Sequence, residues 1–287
     1  MPDNLEQEAG PSGNSYLSKE LQLRIVSGVA IGLVALALAA WSPLAFAALT
    51  LAIALVMSWE WHRIVRGEGL DAVVALHALG VIAAALLTSA GMAGLGVAAA
   101  IAMAIAVAGL VFGSGVATLS GLGVLYTSLP VIALGWLRGD EPLGFLAALF
   151  VIVIVVATDT AAYAAGRWIG GPKLAPAISP NKTWSGLLGG ICAAALAGAL
   201  FPIVTGSGNW TWLAALGLVL GLVAQAGDLA ESALKRQFGR KDASDLIPGH
   251  GGFMDRMDGI VTASVAAALI GLAIDLYAPA RALLYGS

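Results

Sequence analysis

Two polar stretches in an otherwise apolar chain carry the residues that could do chemistry. The longer one reads GDLAESALKRQFGRKDASDLIPGHGGFMDRMDG and joins two apolar segments. Its aspartates Asp228, Asp255 and Asp258 lie where these segments meet the polar stretch. Carboxylates held together at membrane depth repel one another, and a divalent cation removes that repulsion. These three aspartates are therefore predicted to be metal ligands.

The surrounding residues indicate which metal and which reaction. The chain's one cysteine, Cys192, lies in an apolar run, and His250 is the nearby histidine, so oxygen ligands and Mg²⁺ are favoured over zinc. Lys235 and Arg236 follow Asp228 at helical spacing. Carboxylates, Mg²⁺ and cations together are typical of phosphoryl or nucleotidyl transfer. We therefore predict a catalytic set of Asp228, Lys235, Arg236, Asp255 and Asp258.

A simpler interpretation competes for part of this stretch. A solvated basic loop that follows the positive-inside tendency would account for Arg240, Lys241, Asp242 and Asp245 taken singly. It does not account for three aspartates at the ends of the two apolar segments.

The shorter polar stretch follows an apolar run that contains a carboxylate. Asp159 lies within the run, and Tyr163 and Arg167 follow on the same helix face at i+4 and i+8. A carboxylate inside a membrane segment indicates a functional site, although pairing of Asp159 with Arg167 would be a structural alternative.

The stretch ends in SPNKTW, which places Ser179, Asn181, Lys182 and Thr183 just before a predicted helix start. The free N–H groups at a helix N-terminus suit a phosphate. The same residue types are also ordinary helix caps.

The composition indicates that transmembrane helices carry these two polar stretches. The chain is 59% hydrophobic and 11% charged, with a mean hydropathy of +0.91, which excludes a soluble domain. A net charge of −3 gives no basic field for nucleic acid. The charge-free stretches divide into lengths that can cross a bilayer if helices break near Ser42, Ala90, Gly113 and Gly206. The predicted fold is all-α, a polytopic integral membrane protein with about nine transmembrane helices, packed closely through small residues.

The helix count also predicts an organisation and an orientation. Residues 1–22 form a polar tail, residues 23–140 about five helices, and residues 141–287 a catalytic region of about four helices with loops 167–184 and 228–258. With nine helices, 12 of the 14 basic residues fall on the N-terminal side, among them Lys19 and Arg24. The positive-inside tendency then makes the N-terminus and both loops cytoplasmic, in the cell (inner or plasma) membrane.

The motifs resemble those of a known family. The run Ser232-x-x-Lys235-Arg236-x4-Lys241-Asp242-x4-Pro248-Gly249-His250-Gly251-Gly252-x2-Asp255-Arg256-x-Asp258 looks like the signature of phosphatidate cytidylyltransferases, also called CDP-diacylglycerol synthases. DTAAY-x2-GR and SPNKTW-x-G-x2-GG are similar to two further blocks of that family, so the resemblance covers residues 157–260. The family usually has a second lysine where Asn181 stands and a glutamate where Ser185 stands.

The resemblance implies a reaction, a cofactor and partners. CTP and phosphatidic acid would give CDP-diacylglycerol and pyrophosphate with Mg²⁺, by in-line attack of the lipid phosphate on the α-phosphorus of CTP. Membrane lipid would be a partner, nucleic acid would not, and a homodimer is suggested. The expected substrate-binding residues are Asp159, Tyr163, Arg167, Ser179, Lys182, Thr183, Ser232, Lys241, Asp242, His250, Gly251, Gly252 and Arg256.

Two other functions stay open at this stage. Asp255-x-x-Asp258-Gly259 matches the opening of the CDP-alcohol phosphotransferase motif, but Ile260 follows and the next carboxylate is Asp275. A transporter could use Asp159, His77 and Asp275 as relay groups inside the membrane, although paired repeats are not evident. Binding of CTP would separate the enzyme from the transporter.

Overall fold

The computed structural model describes residues 32–67, 69–246 and 251–287. The predictions for the tail 1–22, for Lys19 and Arg24, and for His250 lie outside the described residues. The first described helix, α1, covers Gly32–Trp41. The helices that follow are α2 Pro43–Arg66, α3 Ala72–Ser89, α4 Ala93–Leu110, α5 Ala117–Gly139, α6 Gly144–Trp168, α7 Trp184–Thr205, α8 Trp210–Gln237, α9 Met254–Ile274 and α10 Pro279–Tyr285. Two short strands, β1 Lys173–Ala175 and β2 Ser179–Thr183, pair antiparallel between α6 and α7.

The chain is an all-α polytopic membrane protein. Within the described part, α2 to α9 are the eight helices long and apolar enough to cross a membrane, and α1 is a shorter apolar helix. All four predicted breaks fall between helices. At the first, the Ser42 hydroxyl accepts the N–H of Ala45 at 3.0 Å, and Pro43 begins α2 without needing a donor. At the last, Gly206 ends α7 in the left-handed conformation, with φ 72°.

Close packing of α7 against α8 confirms the predicted use of small residues. A Cβ on Gly198 would lie 2.0 Å from the backbone oxygen of Leu213, and a Cβ on Gly217 would lie 2.4 Å from that of Ala194. Only glycine allows the two backbones to approach this closely. The same core includes Phe150 of α6, so α6, α7 and α8 form one support for the polar loops at their ends.

The sequence did not predict α10, which lies at the end of the bundle away from those loops. The backbone N–H of Ala280 donates to Asp140 at 2.8 Å, between α5 and α6. The indole N–H of Trp212, at the start of α8, donates to the backbone oxygen of Leu283 at 2.8 Å. Contacts with residues distant in the chain thus hold α10.

The N-terminal helices pack directly on the C-terminal ones. Met57 and Trp61 of α2 share a core cluster with Leu234 of α8 and Met254 of α9. His77, named above as a possible relay group, is fully buried on α3 and packs against α5, with its Nε2 2.8 Å from the backbone oxygen of Ser120. The two predicted halves therefore share an interior.

Candidate active site

The polar loops 167–184 and 228–258 meet at one end of the helix bundle. The ammonium of Lys182 lies 2.5 Å from a carboxylate oxygen of Asp228. The guanidinium of Arg236 donates to the backbone oxygen of Ile178 at 3.2 Å. These contacts confirm that the two loops predicted to carry the chemistry lie together.

The β1–β2 hairpin places Lys182. Its register pairs Lys173 with Thr183 and Ala175 with Ser179. Thr183 then caps α7, because its hydroxyl accepts the N–H of Gly186 at 3.1 Å. Of the two roles considered for Thr183, phosphate binding and helix capping, the structure shows capping. Lys182, the preceding residue, faces α8.

Ser185, which stands where the resembling family usually has a glutamate, fastens this hairpin to α7. Its hydroxyl donates to the backbone oxygen of Gly170 and lies 2.9 Å from the hydroxyl of Thr183. Gly170 makes the turn after α6 with φ 65°, a conformation that suits glycine. The serine therefore has a local structural role.

Four carboxylates from three helices face one another beside Lys182. Asp258 of α9 interacts electrostatically with Asp228 and Glu231 of α8 and with Asp159 of α6. We call Asp159, Asp228, Glu231 and Asp258 the acidic cluster. The structure thus brings Asp159 to the site, where it interacts electrostatically with Asp228, Lys182 and Arg256. The alternative, a pairing of Asp159 with Arg167, is absent from the described contacts.

Lys235 links α8 to α9 at the edge of the acidic cluster. Its side chain is nearly buried, with the residue 8% exposed. Its ammonium donates to Glu231 at 3.2 Å and to one oxygen of Asp255. The other oxygen of Asp255 accepts the N–H of Ala243 at 2.9 Å and that of Gly252 at 2.8 Å. Asp255 therefore holds the loop that precedes α9.

Among the described residues, no group of three or more His, Cys, Asp or Glu side chains is arranged to hold a metal ion. Both oxygens of Asp255 are taken by donors of the chain itself. The metal site of Asp228, Asp255 and Asp258 stays a prediction. Asp228 and Asp258 do face each other across α8 and α9.

The other predicted residues are divided between this site and the surface. Ser232 donates to Asp228 at 3.3 Å, one helical turn away, as its spacing predicts. Gly251, with φ 79°, and Gly252 both lie against polar atoms of the site. Arg236 and Arg256 are exposed beside the cluster, and Lys241 and Asp242 are exposed on the loop.

Two predicted residues of α6 and one of β2 make no contact with the cluster in the described part of the chain. Tyr163 is 71% exposed, and Arg167 is also exposed. Ser179 is partly buried in β2, opposite Ala175.

Three site residues were missed from the sequence. Glu231 precedes Lys235 by four residues, a spacing that signals an ion pair. Glu60 is a carboxylate in an apolar helix, the same signal that identified Asp159. Tyr126 of α5 interacts electrostatically with Asp228 and Glu231, and its hydroxyl is buried with no hydrogen-bond partner among the described residues. Tyr126 carries no sequence signal, since a tyrosine in an apolar helix is common.

Comparison with known proteins gives a family. The model of the cytidylyltransferase family matches residues 22–273. A phosphatidate cytidylyltransferase of Brucella suis is 51% identical over 150 residues, which cover 52% of this chain and 55% of that protein. One of Haemophilus influenzae is 40% identical over 125 residues, covering 42% of this chain and 43% of that protein. The chain thus spans about half the length of the curated relatives it matches.

Proposed function

This chain belongs to the cytidylyltransferase family, and we propose that it is the enzyme that makes CDP-diacylglycerol and pyrophosphate from CTP and phosphatidic acid. One observation carries the proposal: Lys182 and Lys235 lie among carboxylates at the shared end of α6, α8 and α9. Phosphatidate presents its phosphate at the bilayer surface, where these apolar helices end. CTP is water-soluble and can reach the same place.

The reaction brings two anions together, and the two lysines meet that requirement. A phosphate oxygen of phosphatidate forms a bond to the α-phosphorus of CTP, and the bond to the β-phosphate breaks, so that pyrophosphate leaves. A phosphate monoester is already ionised near neutral pH, so the attacking oxygen needs no general base. Lys182 and Lys235 would hold phosphates by charge-assisted hydrogen bonds in place of their present carboxylate partners.

We further propose that Mg²⁺ takes part. The acidic cluster supports this, because Asp228 and Asp258 interact as like charges and a divalent cation relieves their repulsion. Mg²⁺ commonly uses one or two protein carboxylates and completes its shell with water and substrate phosphates. Asp228 and Asp258 would hold the ion. When bound, it would neutralise charge on the phosphates during transfer.

The location of the site follows from the same proposal. CTP is a cytoplasmic nucleotide, so the bundle end that carries Lys182 and Lys235 would face the cytoplasm. The positive-inside tendency supports this orientation, since Arg236, Arg240 and Lys241 lie at that end. The cell membrane would then hold the enzyme as a multi-pass protein.

The test is direct synthesis by the purified protein. Detergent-solubilised protein is incubated with CTP, phosphatidate and Mg²⁺, and CDP-diacylglycerol is measured in the lipid extract. Asp228→Asn serves as the control for contaminating activity. Lack of product from protein that still binds CTP would refute the activity. Lack of CTP binding would make the transporter the better hypothesis.

A further inference from the structure

A buried glutamate of the N-terminal half holds the start of α9. Glu60 lies on α2 and is 0% exposed. One oxygen of its carboxylate accepts the N–H of Phe253 at 2.9 Å, and the other accepts that of Met254 at 2.7 Å. The hydroxyl of Ser244 donates to the first oxygen at 2.5 Å. Every one of these partners is a donor, so the position requires a group that only accepts.

Glu60 supplies what α9 lacks at its own N-terminus. The first N–H groups of a helix have no partner within the helix. Phe253, the N-cap residue of α9, provides no side-chain cap. A carboxylate both accepts these N–H groups and interacts favourably with the positive end of the helix dipole. The cap of α9 is thus supplied by a helix almost 200 residues earlier in the chain.

The same contact fixes Gly251 and Gly252, which we call the glycine turn and which lead into α9. A Cβ on Gly252 would lie 2.4 Å from a carboxylate oxygen of Glu60 and 3.0 Å from the side chain of Ala243. The backbone of the turn therefore passes directly against Glu60. The N–H groups of Gly252 and Ala243 donate in turn to Asp255. Glu60 and Asp255 therefore hold neighbouring residues of one segment, and Asp255 pairs with Lys235.

Burying a carboxylate at position 60 costs more free energy than burying an apolar side chain there would. A carboxylate inside a membrane helix is expensive, whereas an apolar side chain at position 60 would fill the space between α2 and α9. Such a side chain would leave the N–H groups of Phe253 and Met254 without an acceptor. The carboxylate is therefore explained by what it holds.

We propose that Glu60 is a positioning residue for the reaction. It holds the glycine turn and the first turn of α9, so that Asp255 stays bonded to Lys235 and Asp258 faces Asp228 and Glu231. Among the described residues, Glu60 accepts hydrogen bonds from Ser244, Phe253 and Met254. The inference rests on the proposed cytidylyltransferase activity of the site.

Three variants test the proposal by kinetics. Glu60→Gln keeps the size of the side chain but replaces one acceptor oxygen by an NH2 group that faces donors, and kcat should fall about 10-fold or more. Glu60→Asp is shorter but keeps both acceptor oxygens, and it should retain more activity than Glu60→Gln. Ser58→Ala is the matched control, because Ser58 is equally buried on α2 and bonds Thr127 of α5 at 3.1 Å, away from the turn. Its kcat should stay within about twofold of wild type.

Hydrogen exchange gives a readout that does not depend on activity. In Glu60→Gln, the amides of Ala243, Gly252 and Met254 should exchange faster, while amides of α4 and α7 keep their wild-type rates. An active wild type with an equally active Glu60→Gln would overturn the inference, as would faster exchange throughout the bundle. A wild type without cytidylyltransferase activity would refute the proposed function alone, since local exchange would still report whether Glu60 holds the turn.

Discussion

The contact between Lys182 and Asp228 allows a quantitative test of the cationic role. Lys182→Gln removes the ammonium that lies 2.5 Å from Asp228 and leaves that carboxylate facing Asp258 without its cation. A hydrogen bond to a charged group is worth about 1.5 to 3 kcal/mol. The two side chains are 19% and 31% exposed, so water screens the pair less than it would a surface salt bridge. At roughly 1.4 kcal/mol per tenfold change, kcat/KM for CTP should fall about 10- to 100-fold.

The assay measures conversion of labelled CTP into lipid-extractable product at several CTP concentrations. Lys173→Gln is the control, because Lys173 lies on the same hairpin, carries the same charge and is exposed on β1. It should keep wild-type kinetics within about twofold.

The comparison of the two lysines can refute the prediction. If Lys182→Gln and Lys173→Gln have the same kinetics, Lys182 has no role beyond the general positive charge of the loop.

The remaining predictions concern the cluster, the packing and the topology. Asp258→Asn should lower turnover and raise the Mg²⁺ concentration needed for half-maximal activity while the protein still inserts, and an unchanged Mg²⁺ dependence would place the ion elsewhere. Gly217→Val should lower unfolding stability by about 1 to 3 kcal/mol in a thermal melt, because a Cβ there meets a main-chain oxygen of α7; Gly94→Val, with open space around its Cβ, is the control and should change little. Cysteines replacing Ala177 and Tyr277 should be labelled from opposite sides of the membrane, Ala177 from the cytoplasm, and labelling from one side would contradict the helix count.

Helix ends could be predicted because local residues decide them. Ser42 caps α2 and Pro43 starts it, both residue types favoured at those positions, and Gly206 ends α7 through its own backbone conformation. The β1–β2 hairpin and α10 could not be predicted from local residues in this way. α10 depends on Asp140, a residue of another loop, which accepts the N–H of Ala280. α10 has Pro279 at its start but no side-chain N-cap of its own, and in a helix of seven residues that signal was too weak.

In the candidate site, too, some features could be predicted from the sequence and others could not. Asp228, Lys235 and Asp255 were found from the sequence because charges at the ends of apolar helices are rare and costly. Which of them would pair was not predictable. The N–H groups that occupy Asp255 come from Ala243 and Gly252, and only the folded loop turns them toward it. The metal-ligand role of Asp255 stays a prediction.

The charges of the site argue that substrates do not enter it alone. The acidic cluster and Asp255 together outnumber the cations Lys182, Lys235 and Arg256 that interact with them. A CTP triphosphate entering such a site would meet net repulsion, and two lysines already paired with carboxylates could not offset it. A cation that arrives with the phosphates would remove this difficulty, because Asp228 and Asp258 would hold it and Lys182 would then be available to the substrate. The excess of carboxylates is thus the physical reason for including a divalent cation in the proposed reaction.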